Sequence, residues 1–369
     1  MRWRPPRCDA REGPPRTAWT RCTVPWNANL CATGTRWRRS GTICSTTKYV
    51  NGDGETQVGL RAWLTARGTD EQLGWELGEE GNLLVAEPLF ESKEARERLT
   101  QIMFEEFNVS GLFCAEQPVL SLYAVGKLTG CVVDVGHGTV DVAPVVDGQV
   151  YYPGVARLPY GGEDIAQLLK RRMKERGIVL SDAQLDALKR KAMECAEDED
   201  AYEQVRKAAR DAERSGNSHD IETHVLPDGQ EIQLSKEDAL TLGEACFQSS
   251  LFGLETGNSI VVAATTAVQA FPDNQVRRQL TESVVLCGGG AEAKGMRSRF
   301  QSEFRVMASA PGLAPSLVSP PEYMPAQTLE YAAWMGGAIL ARVVFQQNQH
   351  VTKFDYDESG PAVVHKKCT

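Results

Sequence analysis

The residues best placed to do chemistry lie in Cys131-Val-Val-Asp-Val-Gly-His-Gly-Thr-Val-Asp141, where the carboxylate of Asp134 precedes Gly136 and Gly138. An acidic side chain at the end of a short apolar run can approach a divalent cation through its water shell. Glycines just beyond it leave the backbone free to turn N–H groups toward an anion. Val284-Val-Leu-Cys-Gly-Gly-Gly290 repeats the apolar run and the glycines without the acid, and Tyr331-Ala-Ala-Trp-Met-Gly-Gly-Ala-Ile-Leu340 is a third glycine-interrupted apolar run. Taken singly, each piece reads as a tight turn after a buried strand. Three in a fixed order make an accidental set of turns the poorer reading.

The elements that must position these residues follow from periodicity. Leu83–Ala86 reads as a strand, and Ser92 caps a predicted helix with Leu99, Ile102, Met103 and Phe107 on one face. A second helix is predicted from Gln117 to Leu128. Strands Cys131–Val135 and Thr139–Val146 form a meander around the Gly136–Gly138 turn, with a helix after Gly161-Gly162. Ser181-Asp-Ala-Gln184 is a capping-box sequence opening a long charged helical region to about Arg214, and the acidic run Glu197–Asp200 reads as a solvated helix face. Leu226-Pro-Asp-Gly-Gln230 is a turn between two strands. Residues 236–280 are helical in pattern, and further helices are predicted over Gly295–Phe304 and Leu329–Phe345. The alternation of strands and helices makes the chain α/β.

With 369 residues, the chain can bury a sizeable core and suggests two or three domains. Its net charge is -9, yet residues 1–50 carry ten Lys/Arg against Asp9 and Glu12, or +8, which leaves -17 on the remainder. The acidic body is therefore unsuited to general nucleic-acid binding, whereas the arm has a different partner or history. Ten cysteines without a CxxC pair or zinc-ligand spacing read as reduced, intracellular thiols. No stretch is apolar and long enough to span a bilayer, so no membrane partner is expected. The N-terminus lacks the apolar centre of a secretory signal.

From about Leu73 onward the sequence resembles actin and the actin-related proteins. Leu99-Thr-Gln-Ile-Met-Phe104, Gln117-Pro-Val-Leu-Ser-Leu-Tyr123, Leu226–Gln230 and the tail Asp355–Cys368 carry the likeness. Glu106-Phe-Asn-Val-Ser-Gly111, Pro320-Pro-Glu-Tyr-Met-Pro325 and Phe345–Lys353 resemble most the class-seven plant subfamily of the actin-related proteins. The resemblance implies duplicated ribonuclease H-like domains around a nucleotide cleft. It assigns residues 73–130 and 315–369 to the first domain and 131–314 to the second. It also implies a nuclear location and a structural, non-catalytic role in chromatin-remodelling assemblies, beside another actin-related protein on a helix of the remodelling ATPase. The competing expectation is a cytoplasmic, filament-forming, ATP-binding relative.

The resemblance also implies ATP with magnesium as the ligand of the cleft. Asp134, Gly136 and Gly138 match the second phosphate hairpin, with Asp134 facing the hydrated metal. Gln117 matches the glutamine that positions water, Lys189 a retained lysine, and Gly288 and Gly289 the adenosine side. The match then fails at several positions. His137 replaces a second acidic residue, Asp141 a histidine near the attacking water, and Arg190 a glutamate that contacts nucleotide. Loss of a proton-handling group typically costs about 10²- to 10⁴-fold in rate, so any hydrolysis is expected to be slow.

No Asp-x-Gly-(Ser/Thr)-Gly string with a following lysine occurs in residues 1–72. The first phosphate hairpin and the small outer subdomain are accordingly expected to be missing or diverged. The basic, Arg/Pro/Trp-rich segment 1–72 reads first as the product of a misassigned or alternatively spliced first exon, and second as an inert tail. Phosphate-and-base contact and an organelle transit segment stay open beside these.

Overall fold

The computed structural model describes residues 81–215, 221–254, 259–308 and 314–368, together with the strand Thr42–Ser45. The expectations for segment 1–72 otherwise lie outside the described residues. The chain groups into two compact units, residues 1–114 with 341–369, and residues 115–340.

In the first unit, strands β1 (Thr42–Ser45), β2 (Asn82–Glu87), β3 (Gly111–Glu116) and β11 (Val351–Thr352) form one sheet in the order β1-β2-β3-β11. The run Leu83–Ala86 is wholly buried in β2, as its apolar continuity requires. Ser92 Oγ accepts the Ala95 N–H and opens helix α1 (Lys93–Glu105), whose Leu99, Ile102 and Met103 are buried at the expected helical spacing. Phe104 of α1 stacks on Tyr356 with ring centroids 4.7 Å apart. The Tyr356 hydroxyl donates to Glu105, tying α11 (Lys353–Ser359) to α1. A last helix, α12 (Val364–Lys367), rests on α1. Lys367 pairs with Asp355 at 2.6 Å, and His365 lies 3.0 Å from Glu97.

The second unit begins with helix α2 (Gln117–Ala124), which stops short of Leu128 because Gly126 takes φ +72° and turns the chain. The second sheet runs β10-β4-β5-β6, with β7 also pairing β5. Its strands are β4 (Gly130–Val135), β5 (Val140–Val146), β6 (Gln149–Val150), β7 (Ala156–Leu158) and β10 (Val284–Cys287). β4 is its keel, antiparallel to β5 on one edge and parallel to β10 on the other. Because side chains alternate along a strand, Cys131, Val133 and Val135 enter one core while Val132 enters the other.

The helices on the larger core are α3 (Gly162–Glu175), α4 (Asp182–Ala192), α6 (Lys236–Glu244), α7 (Ile260–Gln269), α8 (Asn274–Thr281) and α9 (Met296–Met307). Between α4 and α6 lies α5 (Glu199–Ser215), whose Tyr202 packs with Ala196 and Leu240 in a small separate cluster. On the other face, Val119 and Leu122 of α2 pack with Val132, Val145, Val285 and Leu329. By contact, residues 115–130 and 315–340, placed in the first domain from sequence, group with the second unit, because α2 lies on the β4/β5 sheet.

Two expectations needed adjustment. Ser181 and Gln184 form both arms of the capping box, but the long helical region is two helices, α4 and α5, broken at Met193–Asp198. The acidic run Glu197–Asp200 is exposed as expected, yet it begins α5 instead of lining it, with Asp198 accepting the Ala201 N–H at 2.7 Å. Strands β8 (Ile221–Val225) and β9 (Glu231–Ser235) flank the Leu226–Gln230 turn as a separate hairpin. Helix α10 (Ala332–Gln346) closes the set.

The tightest helix approach is at Gly336, where a Cβ would overlap the Leu120 carbonyl oxygen and stand 2.5 Å from its carbon. Backbone cannot yield there as a flexible side chain could. Gly336→Ala is therefore expected to destabilise the protein by about 3 kcal/mol or more, read as a fall of roughly 10 °C in melting temperature by circular dichroism. An unchanged melting temperature would contradict this packing.

Candidate functional site

The β4–β5 hairpin sets the geometry of the site. Gly136 N–H donates to Thr139 O at 3.1 Å, closing the turn, and the register puts Asp134 directly opposite Asp141. Asp141 in turn stands opposite Arg157 of β7, which grips it through Nε at 2.6 Å and Nη2 at 2.8 Å. This two-pronged ion pair is directional and charge-assisted, so the Asp141 carboxylate is occupied. His137 at the tip lies 3.1 Å from Glu163 on the first turn of α3.

The hairpin is clamped by the N-terminus of α3. Gly162 N–H donates to Gly136 O at 2.9 Å, and Glu163 N–H donates to His137 O at 2.7 Å. A Cβ at Gly161 would stand 2.5 Å from His137 O and 2.8 Å from the Gly138 carbonyl carbon, so this contact admits only glycine. Lys189 of α4 is buried, donates to Gly162 O at 2.9 Å, and pairs with Asp186 at 2.6 Å. Its ammonium braces the clamp from behind.

On the opposite flank, Gly288 follows β10 with φ +88° and donates its N–H to Leu329 O at 3.0 Å. A Cβ there would overlap Asp134 Oδ1 and stand 2.6 Å from Val135 O. At Gly289, by contrast, a Cβ would meet nothing within 4 Å, so the residue after Gly288 faces open space. The structure thus gathers Asp134, Gly136, Gly138 and Gly288, with Lys189 one contact behind. Gln117 occupies the first position of α2, buried, with its main-chain oxygen accepting the Ser121 hydroxyl at 3.0 Å. Arg190 lies 3.6 Å from both Asp186 and Glu330.

Electrostatically, Asp134 is the exposed nerve of the site. Burial, reinforced by the facing charge of Asp141, pushes its carboxyl up to about 7. Among the described residues nothing donates to it or pairs with it. A carboxylate in that position needs either a proton or a cation.

The fit to ATP with magnesium is therefore partial. Asp134 and the open ground at Gly289 suit a hydrated divalent cation and a close backbone approach. A bound cation would supply the positive charge that Asp134 lacks. Several donors at the site, however, are already spent inside the protein, namely the N–H of Gly136 in the hairpin turn and those of Gly162 and Glu163 at the start of α3. The side chains at the proton-handling positions are held by Arg157 and Glu163. Among the described residues, no cluster of three or more metal-ligating side chains exists that could hold a metal ion directly.

Sequence reasoning alone had not singled out Arg157, Glu163 or Gly161. Arg157 was accessible in principle, because a basic residue facing an acidic one across paired strands is a recognisable signal. It required the β5–β7 register, and β7 has only three residues.

Comparison with known proteins places the sequence among relatives. The family model described as Actin matches residues 62–369, starting somewhat before Leu73. The chain is 47% identical over 298 residues to Actin-related protein 7 of rice, Oryza sativa subsp. indica, covering 80% of this chain and 79% of that protein. The protein of the same name from Oryza sativa subsp. japonica matches equally. Actin-related protein 7 of Arabidopsis thaliana is 46% identical over 298 residues, covering 80% and 78%.

Because the folded-state Asp134 carboxyl binds its proton more tightly than in the unfolded chain, its contribution is complete below about pH 4. That contribution is lost as pH rises through about 7. Asp134→Asn is expected to melt above the parent at pH 8, by about 1–2 kcal/mol after allowing for water at the carboxylate, with the gap closing toward pH 4. Millimolar magnesium should raise the parent's melting temperature at pH 8 and leave Asp134→Asn unmoved. Parallel pH profiles for the two proteins would refute the assignment. In the same assay Gly288→Ala should destabilise strongly while Gly289→Ala is near neutral.

Proposed function

This chain belongs to the actin family, and from that premise we propose that it is a non-catalytic structural subunit of a nuclear chromatin-remodelling complex. In this reading it binds a helix of the remodelling ATPase beside another actin-related protein. The observation that carries the non-catalytic part is the Asp141–Arg157 pair. A general base must be free to take a proton from water, and this carboxylate is committed to a guanidinium on two bonds. His137, beside Glu163, is similarly engaged.

The clamp that shapes the hairpin is nevertheless intact, as are the glycine approaches around Asp134. A cleft whose form is kept while its proton-handling side chains are tied down suits a ligand, if one binds, that acts as filler instead of fuel. The assembly role rests on the sequence resemblance to nuclear members of the family, and the acidic body is consistent with protein partners over direct nucleic-acid contact.

The deciding experiment is affinity purification of the endogenously tagged protein from separated nuclear and cytoplasmic fractions, with partners identified by mass spectrometry. A remodelling ATPase and a second actin-related protein are expected from the nucleus. Cytoskeletal regulators from the cytoplasm would overturn the proposal. With magnesium and ATP the purified chain is expected to remain in the supernatant at sedimentation speeds that pellet filaments, and reproducible pelleting would favour a filament-forming relative.

A further inference from the structure

Two cysteines 254 residues apart in sequence meet inside the first unit. Cys114 lies on β3 and Cys368 just beyond α12, and both are buried, at 3% and 5% exposure. The Cys114 N–H donates to Cys368 Sγ at 3.4 Å. Among the described residues, the other free thiols, Cys131, Cys195, Cys246 and Cys287, lie in the second unit.

The neighbours of this pair are charged. Glu87, at the end of β2, is 1% exposed and has Arg96 of α1 as its counter-ion at 2.5 Å. Neither Glu87 oxygen meets a donor at good hydrogen-bonding angles, and its strand β2 pairs with β3, the strand that carries Cys114. A buried carboxylate so poorly satisfied is a ready proton acceptor.

We propose that Cys114 and Cys368 form a peroxide-responsive dithiol, in which oxidation closes an intramolecular disulfide between β3 and the segment after α12, with Glu87 receiving the proton of the resolving thiol.

The two sulfurs are not equivalent. Cys368 Sγ is the sulfur that accepts a main-chain N–H, that of Cys114, which favours its thiolate, and hydrogen bonding from Cys114 pushes its titration down. The contact with Cys368, together with burial, pushes Cys114 well up. Cys368 is thus the attacking sulfur and Cys114 the resolving one.

The thiolate of Cys368 attacks one oxygen of hydrogen peroxide. The O–O bond breaks, and the departing hydroxide takes up the proton that Cys368 released, leaving as water. Cys114 sulfur then attacks Sγ of the resulting sulfenic acid while its proton passes to Glu87. The S–O bond breaks, and the second hydroxide recovers that proton as water. Two thiols lose two electrons, and one peroxide becomes two waters. Access requires α12 to lift. This helix has only four residues, and its anchors, His365–Glu97 and Lys367–Asp355, are partly solvent-exposed, so local opening costs far less than unfolding.

The test uses the reduced full-length protein, titrated with hydrogen peroxide at neutral pH, quenched with an alkylating agent, and mapped by mass spectrometry without reduction. A cross-link between the peptides bearing Cys114 and Cys368 is expected, two hydrogens lighter than their sum and reversed by dithiothreitol. It should be absent in Cys368→Ser, and Glu87→Gln should form it about 10-fold more slowly or worse while accumulating sulfenic acid that dimedone traps on Cys368. Both thiols still alkylated after peroxide, Cys368 driven to sulfinic acid without a cross-link, or either sulfur joined to a third cysteine would overturn the proposal. Equal closure rates in Glu87→Gln and the parent would remove Glu87 from it. Should a variant fail to fold by circular dichroism, the map of the parent protein decides alone.

Discussion

Strand β4 is the constraint on which the second unit depends. It is paired on both edges and covered on both faces, so every side chain along it except the last few must be apolar. Only where the strand emerges can a charge be tolerated, and Asp134 occupies that place. The same burial that makes β4 a rigid reference also withholds solvent from Asp134 and raises the cost of its negative charge. Core packing and site electrostatics are consequently one problem, because any change that loosens the strand would also relax the carboxylate.

Around that fixed strand, shape and reactivity have been separated. Shape depends on main-chain contacts: the Gly161-Gly162 clamp on the hairpin, the Gly288 turn against Asp134, and the Lys189 brace. These contacts involve backbone atoms or glycines and are insensitive to the identity of most side chains nearby. Reactivity would depend on His137, Asp141 and Arg190, and each of these has a charged neighbour. The contour of the hairpin can therefore be kept while the charged side chains on it change.

Much of this was legible in the sequence because it depended on local rules. The β4 and β5 strands, the Ser92, Ser181 and Gly295 helix starts, and the Leu226–Gln230 turn all follow from spacing, capping and turn chemistry within a few residues. The two-residue strand β11 and three-residue β7 were not, since so short a segment carries no period and exists only through its partner. The extent of α2 was overread because apolar residues continue past Ala124, whereas Gly126 ends the helix by backbone conformation. At the site, residue types announced Asp134 and the glycines. The neutralising partners of Asp141 and His137 come from other elements, and only register and packing bring them together.

The Asp141–Arg157 pair also bears on the history of the chain. Restoring a histidine at position 141, where the family resemblance places one, would leave the Arg157 guanidinium without its carboxylate and set a second cation nearby if the imidazole were protonated. Removal of Arg157 alone would leave Asp141 uncompensated and strengthen its repulsion of Asp134 across the hairpin. Either residue, changed by itself, strands a charge that the other now balances, so positions 141 and 157 are coupled and are expected to change together or not at all.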